Sequence, residues 1–255
     1  MKRVFERLRS FVIWVIALPV FVLGCLVILL VALFTRGQRL EGLIKVCCRL
    51  LLFVSGVRLR VRGRENVKAG LRYVVMMNHV NIFDPLVFYA SFPGPLRGIE
   101  EESHFRWPLY GAVLRRIGQI PIDRKNSSKA RESIQQAADL VRTCKEFSIA
   151  ILPEGTRTLD GKLGPFKRGG FHLALETGLD ILPIVQKGAF QIIHKGSLLI
   201  RPGRVDLTIK PPVPMGGVSK ENLQELVDKV RSVFLRSLGE STIPHPGRAS
   251  ASDIA

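Results

Sequence analysis

The chain reads as an α/β domain on a mixed sheet flanked by helices, with a membrane-embedded helical segment at its N-terminus. Three observations predict this. Short apolar runs of strand length alternate with helix-period stretches from about residue 57 to residue 240. An uncharged run of 24 residues, Phe11 to Phe34, lies near the N-terminus. The formal net charge of +17 is also uneven: up to Lys68 there are 13 Lys/Arg and three acids, or +10. A chain of 255 residues has room for one domain of ordinary size plus an appendage.

As a helix, the 24-residue run is about 36 Å long, enough to cross a hydrocarbon core of about 30 Å. It exceeds the h-region of a signal peptide, and its apolar character continues past the loose lipoprotein-like box Val22-Leu23-Gly24-Cys25. A retained anchor is the better reading. Cations flank the run on both sides (Arg7 and Arg9, Arg36 and Arg39), so loop charge does not orient it. Pro19 and Gly24 can break it near the middle. A second apolar segment, Leu43 to Val57, follows. Two helices in one leaflet would keep all the cations on one side, so residues 1–56 read as a two-helix, monotopic anchor rather than a single span.

From residue 57 to 240 the elements follow in turn. Val57 to Val61 alternates Val/Leu with Arg, a strand with one wet face. Tyr73 to Met77 is a buried strand, Asp84 to Ala90 a helix and Ile120-Pro121-Ile122 a short strand. Ile134, Ala137, Ala138 and Val141 fall on one face of a helix over Ser128 to Cys144, with Ser127 or Ser128 as N-cap. Ser148 to Leu152 is a strand, Gly170 to Thr177 a helix ended by Gly178, and Ile181 to Gln186 and Val205 to Ile209 are strands. Ser219 caps a last helix that carries Leu223, Leu226, Val227, Val230, Phe234 and Leu238 on one face. The polar, Pro-containing tail, 241–255, is expected to be disordered. Strand order is not legible.

The candidate chemistry lies in two blocks. In Asn78-His79-Val80-Asn81-Ile82-Phe83-Asp84 a histidine precedes an aspartate by five residues. That is too many for same-face stacking on a regular helix, so the pair can meet only through an irregular turn. If they meet, Asp84 accepts a hydrogen bond from Nδ1–H and Nε2 is left as a proton acceptor. Asn78 either donates a hydrogen bond or caps the turn. The chain has no Gly-x-Ser-x-Gly elbow, and a dyad without a nucleophile suggests that the substrate supplies the hydroxyl. The plainer reading of His79 is a structural histidine. In the second block, Leu152-Pro153-Glu154-Gly155-Thr156-Arg157, Gly155 permits a turn that presents amides, and Arg157 offers a fork suited to phosphate. Glu154 would repel an anion, so it is expected to anchor Arg157 or another cation; a loop salt bridge is the plainer reading.

Arg124, in Ile122-Asp123-Arg124, is a second candidate phosphate cation, or else the partner of a surface aspartate. Lys167-Arg168-Gly169-Gly170 places cations ahead of a helix start that can receive an anion, which makes Lys167 and Gly169 possible support. His104, His172, His194 and His245 lack recognisable partners. Phosphate-loop, dinucleotide and zinc signatures are absent, so neither metal nor cofactor is expected. Cys25, Cys47, Cys48 and Cys144 lack metal spacing and read as reduced filler. The sequon Asn126-Ser127-Ser128 is too short to carry weight.

At these residues the chain resembles the 1-acyl-sn-glycerol-3-phosphate acyltransferases of phospholipid synthesis. That family carries four blocks in order: Asn-His-x4-Asp, Gly-x-Ile-x-Ile-Asp-Arg, Phe-Pro-Glu-Gly-Thr-Arg and an apolar stretch with a proline. Here they stand as Asn78-His79 to Asp84, Gly118 to Arg124, Leu152 to Arg157 and Ile181-Leu182-Pro183-Ile184-Val185. The departures are Leu152 for Phe, Pro121 within the second block and Asn81 where Ser is frequent. The last two leave the acceptor open. The resemblance spans about Val57 to Lys210. It implies that His79, oriented by Asp84, takes the proton from a lysophospholipid hydroxyl, which attacks an acyl thioester of coenzyme A or acyl carrier protein. Arg124, Glu154, Gly155, Thr156 and Arg157 would hold the acceptor's phosphate. The co-substrates would be a thioester and a lyso-lipid, with phosphatidic acid as product. The site would face the cytoplasm from an anionic leaflet, the inner membrane if bacterial.

Another lyso-acceptor, such as a lyso-ornithine lipid, fits the same motifs. A membrane-bound ester or thioester hydrolase is disfavoured by the missing serine elbow. A nucleic-acid binder is disfavoured because the basic stretch adjoins an apolar run and lacks interleaved aromatics.

Overall fold

The computed structural model describes residues 1–35, 38–124 and 126–240; the tail from Ser241, with His245, and Arg36 lie outside them. Seven strands form one sheet: β1 (Val57–Arg62), β2 (Val74–Met77), β3 (Leu96–Glu101), β4 (Ile120–Ile122), β5 (Ser148–Ile151), β6 (Ile181–Lys187) and β7 (Gly203–Ile209). Their spatial order is β1-β7-β6-β2-β5-β3-β4. All neighbours are parallel except β6 and β7, so the sheet is mixed, as expected. The helices are α1 (Lys2–Phe34), α2 (Gln38–Val54), α3 (Asp84–Ser91), α4 (Pro108–Arg116), α5 (Ser127–Thr143), α6 (Gly169–Thr177), α7 (Ala189–Ile192) and α8 (Leu223–Leu238).

Alternation along the strands sorts the core into two layers. Val75, Met77, Leu182, Ile184, Val205, Leu207 and Ile209 pack with α1, α2, α3, α4 and α7 on one face. Val74, Met76, Ile149, Ile181 and Val185 pack with α5, α6 and α8 on the other. The amphipathic patterns read from the sequence match this arrangement. Ile134, Ala137, Ala138 and Val141 of α5 are buried, as are Leu223, Leu226, Val227, Val230 and Phe234 of α8. Each such large side chain contributes about 1.5–3 kcal/mol. β1 keeps Arg58, Arg60 and Arg62 exposed while Val57 is buried. Gly178 ends α6 at φ +66°, a left-handed conformation that favours glycine.

Two capping expectations are corrected. Asn126, not Ser127 or Ser128, caps α5: its Oδ1 accepts from the amides of Ser128 (3.1 Å) and Lys129 (3.2 Å). The sequon asparagine is therefore a helix cap. Ser219 does not cap α8. Its amide donates to Asn222 Oδ1 at 2.8 Å, and the helix starts only at Leu223. Both prolines that interrupt strand-like motifs sit where no ladder donor is needed. Pro121 lies on the edge strand β4. Pro183 lies in β6, where the pairing with β7 begins only at Ile184.

α1 is long and apolar enough to cross a membrane. It is nevertheless held to the α/β domain at both ends. Ser10 Oγ and Trp14 Nε1 donate to Leu198 O at 3.1 and 2.7 Å, the Phe21 ring lies 5.7 Å from that of Tyr110, and Arg116 donates to Ala32 O. Its outward stripe, Phe11, Val15, Leu18, Val22, Leu26, Leu30 and Leu33, is exposed, as are Val46, Leu50 and Phe53 of α2.

Candidate active site

The blocks singled out in the sequence meet at the carboxyl ends of the parallel strands. β2 leads to His79, β5 to Glu154 and β6 ends beside Gln186. The chain leaves β2 into α3 on one face of the sheet and leaves β5 into α6 on the other, opening a crevice where ligands of α/β sheets bind.

Between β2 and α3 the chain makes the irregular turn that five-residue spacing requires. Asn81 builds it: Oδ1 accepts from Phe83 N at 2.9 Å, and Nδ2 donates to Ala189 O at 2.7 Å. Asn81, where serine is frequent in the family, is thus a buried turn former. Asp84 opens α3, at the helix end where a negative charge is stabilised. Its Oδ2 lies 2.7 Å from His79 Nδ1 and accepts from the amides of Val80 (2.6 Å) and Asn81 (3.2 Å). Its Oδ1 accepts from Gln186 Nε2 at 2.8 Å. Asp84 is fully buried, and these four donors fix its orientation. With Nδ1–H committed to Asp84, Nε2 of His79 carries the free lone pair.

Asn78 neither caps the turn nor faces the crevice. It clamps β6: Gln186 N donates to its Oδ1 at 2.9 Å, and its Nδ2 donates to Gln186 O at 3.1 Å. Gln186 also donates to Asn78 O at 2.8 Å, so one side chain joins strand and carboxylate. Sequence reasoning passed over Gln186. The available signal was a polar side chain at the end of the apolar run Ile181 to Val185.

The Glu154–Arg157 turn lies directly against His79. The amide of Thr158 donates to His79 O at 3.0 Å, and that of His79 donates to Glu154 Oε2 at 3.1 Å. The expectation that Glu154 anchors a cation is corrected: among the described residues it forms no ion pair, and it is buried beneath the histidine backbone. Burial pushes its carboxyl up to about 8, against the pull of the backbone donors at Glu154 and His79. Glu154 therefore ties the two blocks together from below.

Gly155 turns at φ +67°, and a side chain there would press on Lys167 at 3.0 Å. Arg124 reaches the same turn, with Nη1 donating to Gly155 O at 3.0 Å and Nε 3.9 Å from Glu101 Oε2. Thr156 is exposed, and its Oγ1 accepts from Lys195 Nζ at 2.9 Å. Lys195, in a loop with no recognisable motif, was not singled out from the sequence. Arg157 and Lys167 make no side-chain ion pair among the described residues. Gly169 starts α6, while Arg168 turns away to Gln224 Oε1 at 2.7 Å. The structure thus groups Arg124, Arg157, Lys167 and Lys195 around one turn beside the dyad. Two other histidines do have partners: His104 Nδ1 lies 2.7 Å from Glu100 Oε1, and His194 stacks on Phe190 at 4.4 Å.

Comparison with known proteins agrees with this arrangement. Residues 58–187 match the family model described as Acyltransferase. A 1-acyl-sn-glycerol-3-phosphate acyltransferase alpha of Ovis aries is 31% identical over 203 residues, which cover 78% of this chain and 70% of that protein. The chain belongs to the 1-acyl-sn-glycerol-3-phosphate acyltransferase family. A member from Limnanthes douglasii is 29% identical over 197 residues, 76% of this chain and 68% of that protein. The fold is shared with the crystal structure of the 1-acyl-sn-glycerophosphate (LPA) acyltransferase, PlsC, from Thermotoga maritima. That match has a TM-score of 0.77 over 94% of this chain and 98% of that one, at 23% identity. The chain is therefore an acyltransferase, and its family's blocks are the segments that converge on His79.

Proposed function

We propose that this acyltransferase moves a fatty acyl group from a thioester of coenzyme A or acyl carrier protein to the sn-2 hydroxyl of 1-acyl-glycerol-3-phosphate, giving phosphatidic acid. One observation carries the reading. A histidine with Nδ1 held by a buried carboxylate is hydrogen-bonded through its own backbone to a turn surrounded by cations. Nε2 takes the proton of the acceptor hydroxyl as that oxygen bonds to the thioester carbon. The C–S bond breaks, and the thiolate recovers the proton from the imidazolium. Arg157, Lys167, Lys195 and the Thr156 hydroxyl hold the phosphate, Arg124 and Gly155 shape the turn, and Glu154 supports it from beneath. An apolar cavity of about 90 Å³ between α1, α2, α3 and α4 has Pro85 and Leu86 in its wall, directly after Asp84.

A labelled acyl-transfer assay across acceptors tests this. Lysophosphatidate is expected to be used, and monoacylglycerol, which lacks the phosphate, to be used at least about tenfold less well. Arg157→Ala is expected to raise KM for lysophosphatidate about tenfold or more with little change in kcat. Equal use of the phosphate-free acceptor, or preference for a lyso-ornithine lipid, would sink the acceptor assignment. Transfer to water alone would make the protein a hydrolase.

The anchor is proposed to lie along one leaflet, with the site open to the cytoplasm. A spanning α1 would drag the domain bound at Ser10 and at Ala32 into hydrocarbon. Laid flat, it buries its exposed stripe in lipid. Spin labels at Phe11→Cys, Val22→Cys and Leu33→Cys in a cysteine-free background are expected to report similar shallow depths. A monotonic depth gradient through the bilayer centre would overturn the arrangement.

A further inference from the structure

We propose that the basic face of β6, β7 and β1, left uncovered among the described residues, docks an acidic helix of a soluble carrier protein that brings the acyl thioester; this rests on the acyl-transfer reading above. The face forms an open groove of about 280 Å³, lined by Arg60, Arg62, Lys187, Arg204 and Lys210, with Asp206 as its one acid. Arg204 pairs with Asp206 at 2.8 Å. Among the described residues Arg60, Arg62, Lys187 and Lys210 have no ion-pair partner. Cations gathered without counter-charge repel one another and raise the local potential for an anion.

The shape of the groove follows from the sheet. Largely parallel sheets are normally covered by helices on both faces. Here α8 packs on β6 and supplies Ser237 to the groove wall, while Arg58, Arg60, Arg62 and Arg204 beyond it remain exposed. The space left over β7 and β1 is where one more helix would lie, and its cationic lining calls for an acidic one.

Position separates a soluble partner from a lipid headgroup. α1 and α2, with their exposed apolar stripe, lie on the opposite face of the sheet. The groove therefore opens away from the lipid. It also meets the site at the carboxyl end of β6. Gln186 bonds Asp84 on one face, and the next residue, Lys187, lines the groove on the other. A thioester arm from a protein seated here passes over the end of β6 to reach His79. Cations spread over three strands fit a protein surface better than a single nucleotide.

The test compares full-length protein with its Arg60→Glu/Arg62→Glu variant on vesicles, using acyl carrier protein and coenzyme A as alternative donors. The variant is expected to raise KM for the acyl-carrier donor about tenfold or more, and to weaken anisotropy-detected binding of acyl-free carrier protein by a similar factor. Its kcat, melting temperature and acyl-CoA kinetics are expected to stay unchanged. An unchanged carrier KM, or an equal rise for both donors, overturns the proposal. So does a rise for acyl-CoA alone, which would assign the groove to nucleotide phosphates, or failure of the parent chain to bind the carrier. Lys187→Glu, one exposed charge, gives the same readout with a smaller effect if the double variant folds poorly. Binding of acyl-free carrier requires no transfer, so its result stands apart from whether the transfer reaction itself is correctly assigned.

Discussion

His79→Ala is expected to lower the rate of acyl transfer by about 10²–10⁴-fold, the usual contribution of a positioned general base. KM for the lyso-acceptor should change little, because the proposed phosphate contacts come from Arg157, Lys167 and Lys195, not from the imidazole. The fold should survive. His79 contributes one of four donors to Asp84, and Val80, Asn81 and Gln186 supply the rest. Single-turnover kinetics with matched melting curves check this. The variant should show a slow chemical step and a native melting transition. A variant that transfers at the parent rate would remove His79 from the mechanism. Because Asp84 acts through the Nδ1 bond, Asp84 is a positioning residue, and its effect on rate is expected only while His79 is present.

The convergence of the blocks could be read from order and residue type, but the way they are joined could not. Val57 to Val61 announced a half-wet strand because Arg and apolar residues alternate there, and the sheet keeps that alternation. β3 escaped notice for a physical reason. It pairs with β5 at Leu96–Gly98 and with β4 at Ile99–Glu101, so it changes neighbours midway. Its buried residues, Leu96 and Ile99, face opposite sides of the sheet and so stand three apart, which gives no period-two pattern. Glu154 was misread because local sequence shows a carboxylate three residues before the phosphate-suited cation and cannot show that the chain folds it beneath His79. Gln186 and Lys195 reach their partners across 102 and 39 residues, distances over which no local pattern speaks. The basic groove shows the same limit. The uneven charge predicted an anionic partner, but the sequence could not say that Arg60, Arg62 and Lys187 share one face of the sheet, opposite α1 and α2.

The second large effect is a pH dependence of stability centred on Glu154. An acid whose carboxyl rises from the ordinary 4.5 to about 8 on folding binds its proton more tightly in the folded chain. Below about 4.5 the group is protonated in both states and contributes no difference. As pH rises from there to about 8, the unfolded chain ionises freely while the folded chain must hold the proton or bury a charge. Stability therefore falls across that window and levels off above it, by about 3–5 kcal/mol at about 1.36 kcal/mol per pH unit. Burial is the main cause, Asp84 adds to it, and the amide of His79 and the charge of Arg231 oppose it. Glu154→Gln removes this ionisation and keeps an oxygen for the His79 amide. Its melting temperature is expected to lose that part of the decline between about pH 5 and 8, and to exceed the parent's near pH 8. Parallel melting profiles for parent and variant across that range would show that Glu154 is ionised at little cost. Its contact with His79 would then be a charge-assisted bond, and the turn carrying Arg157 would be held by a carboxylate instead of a neutral acid.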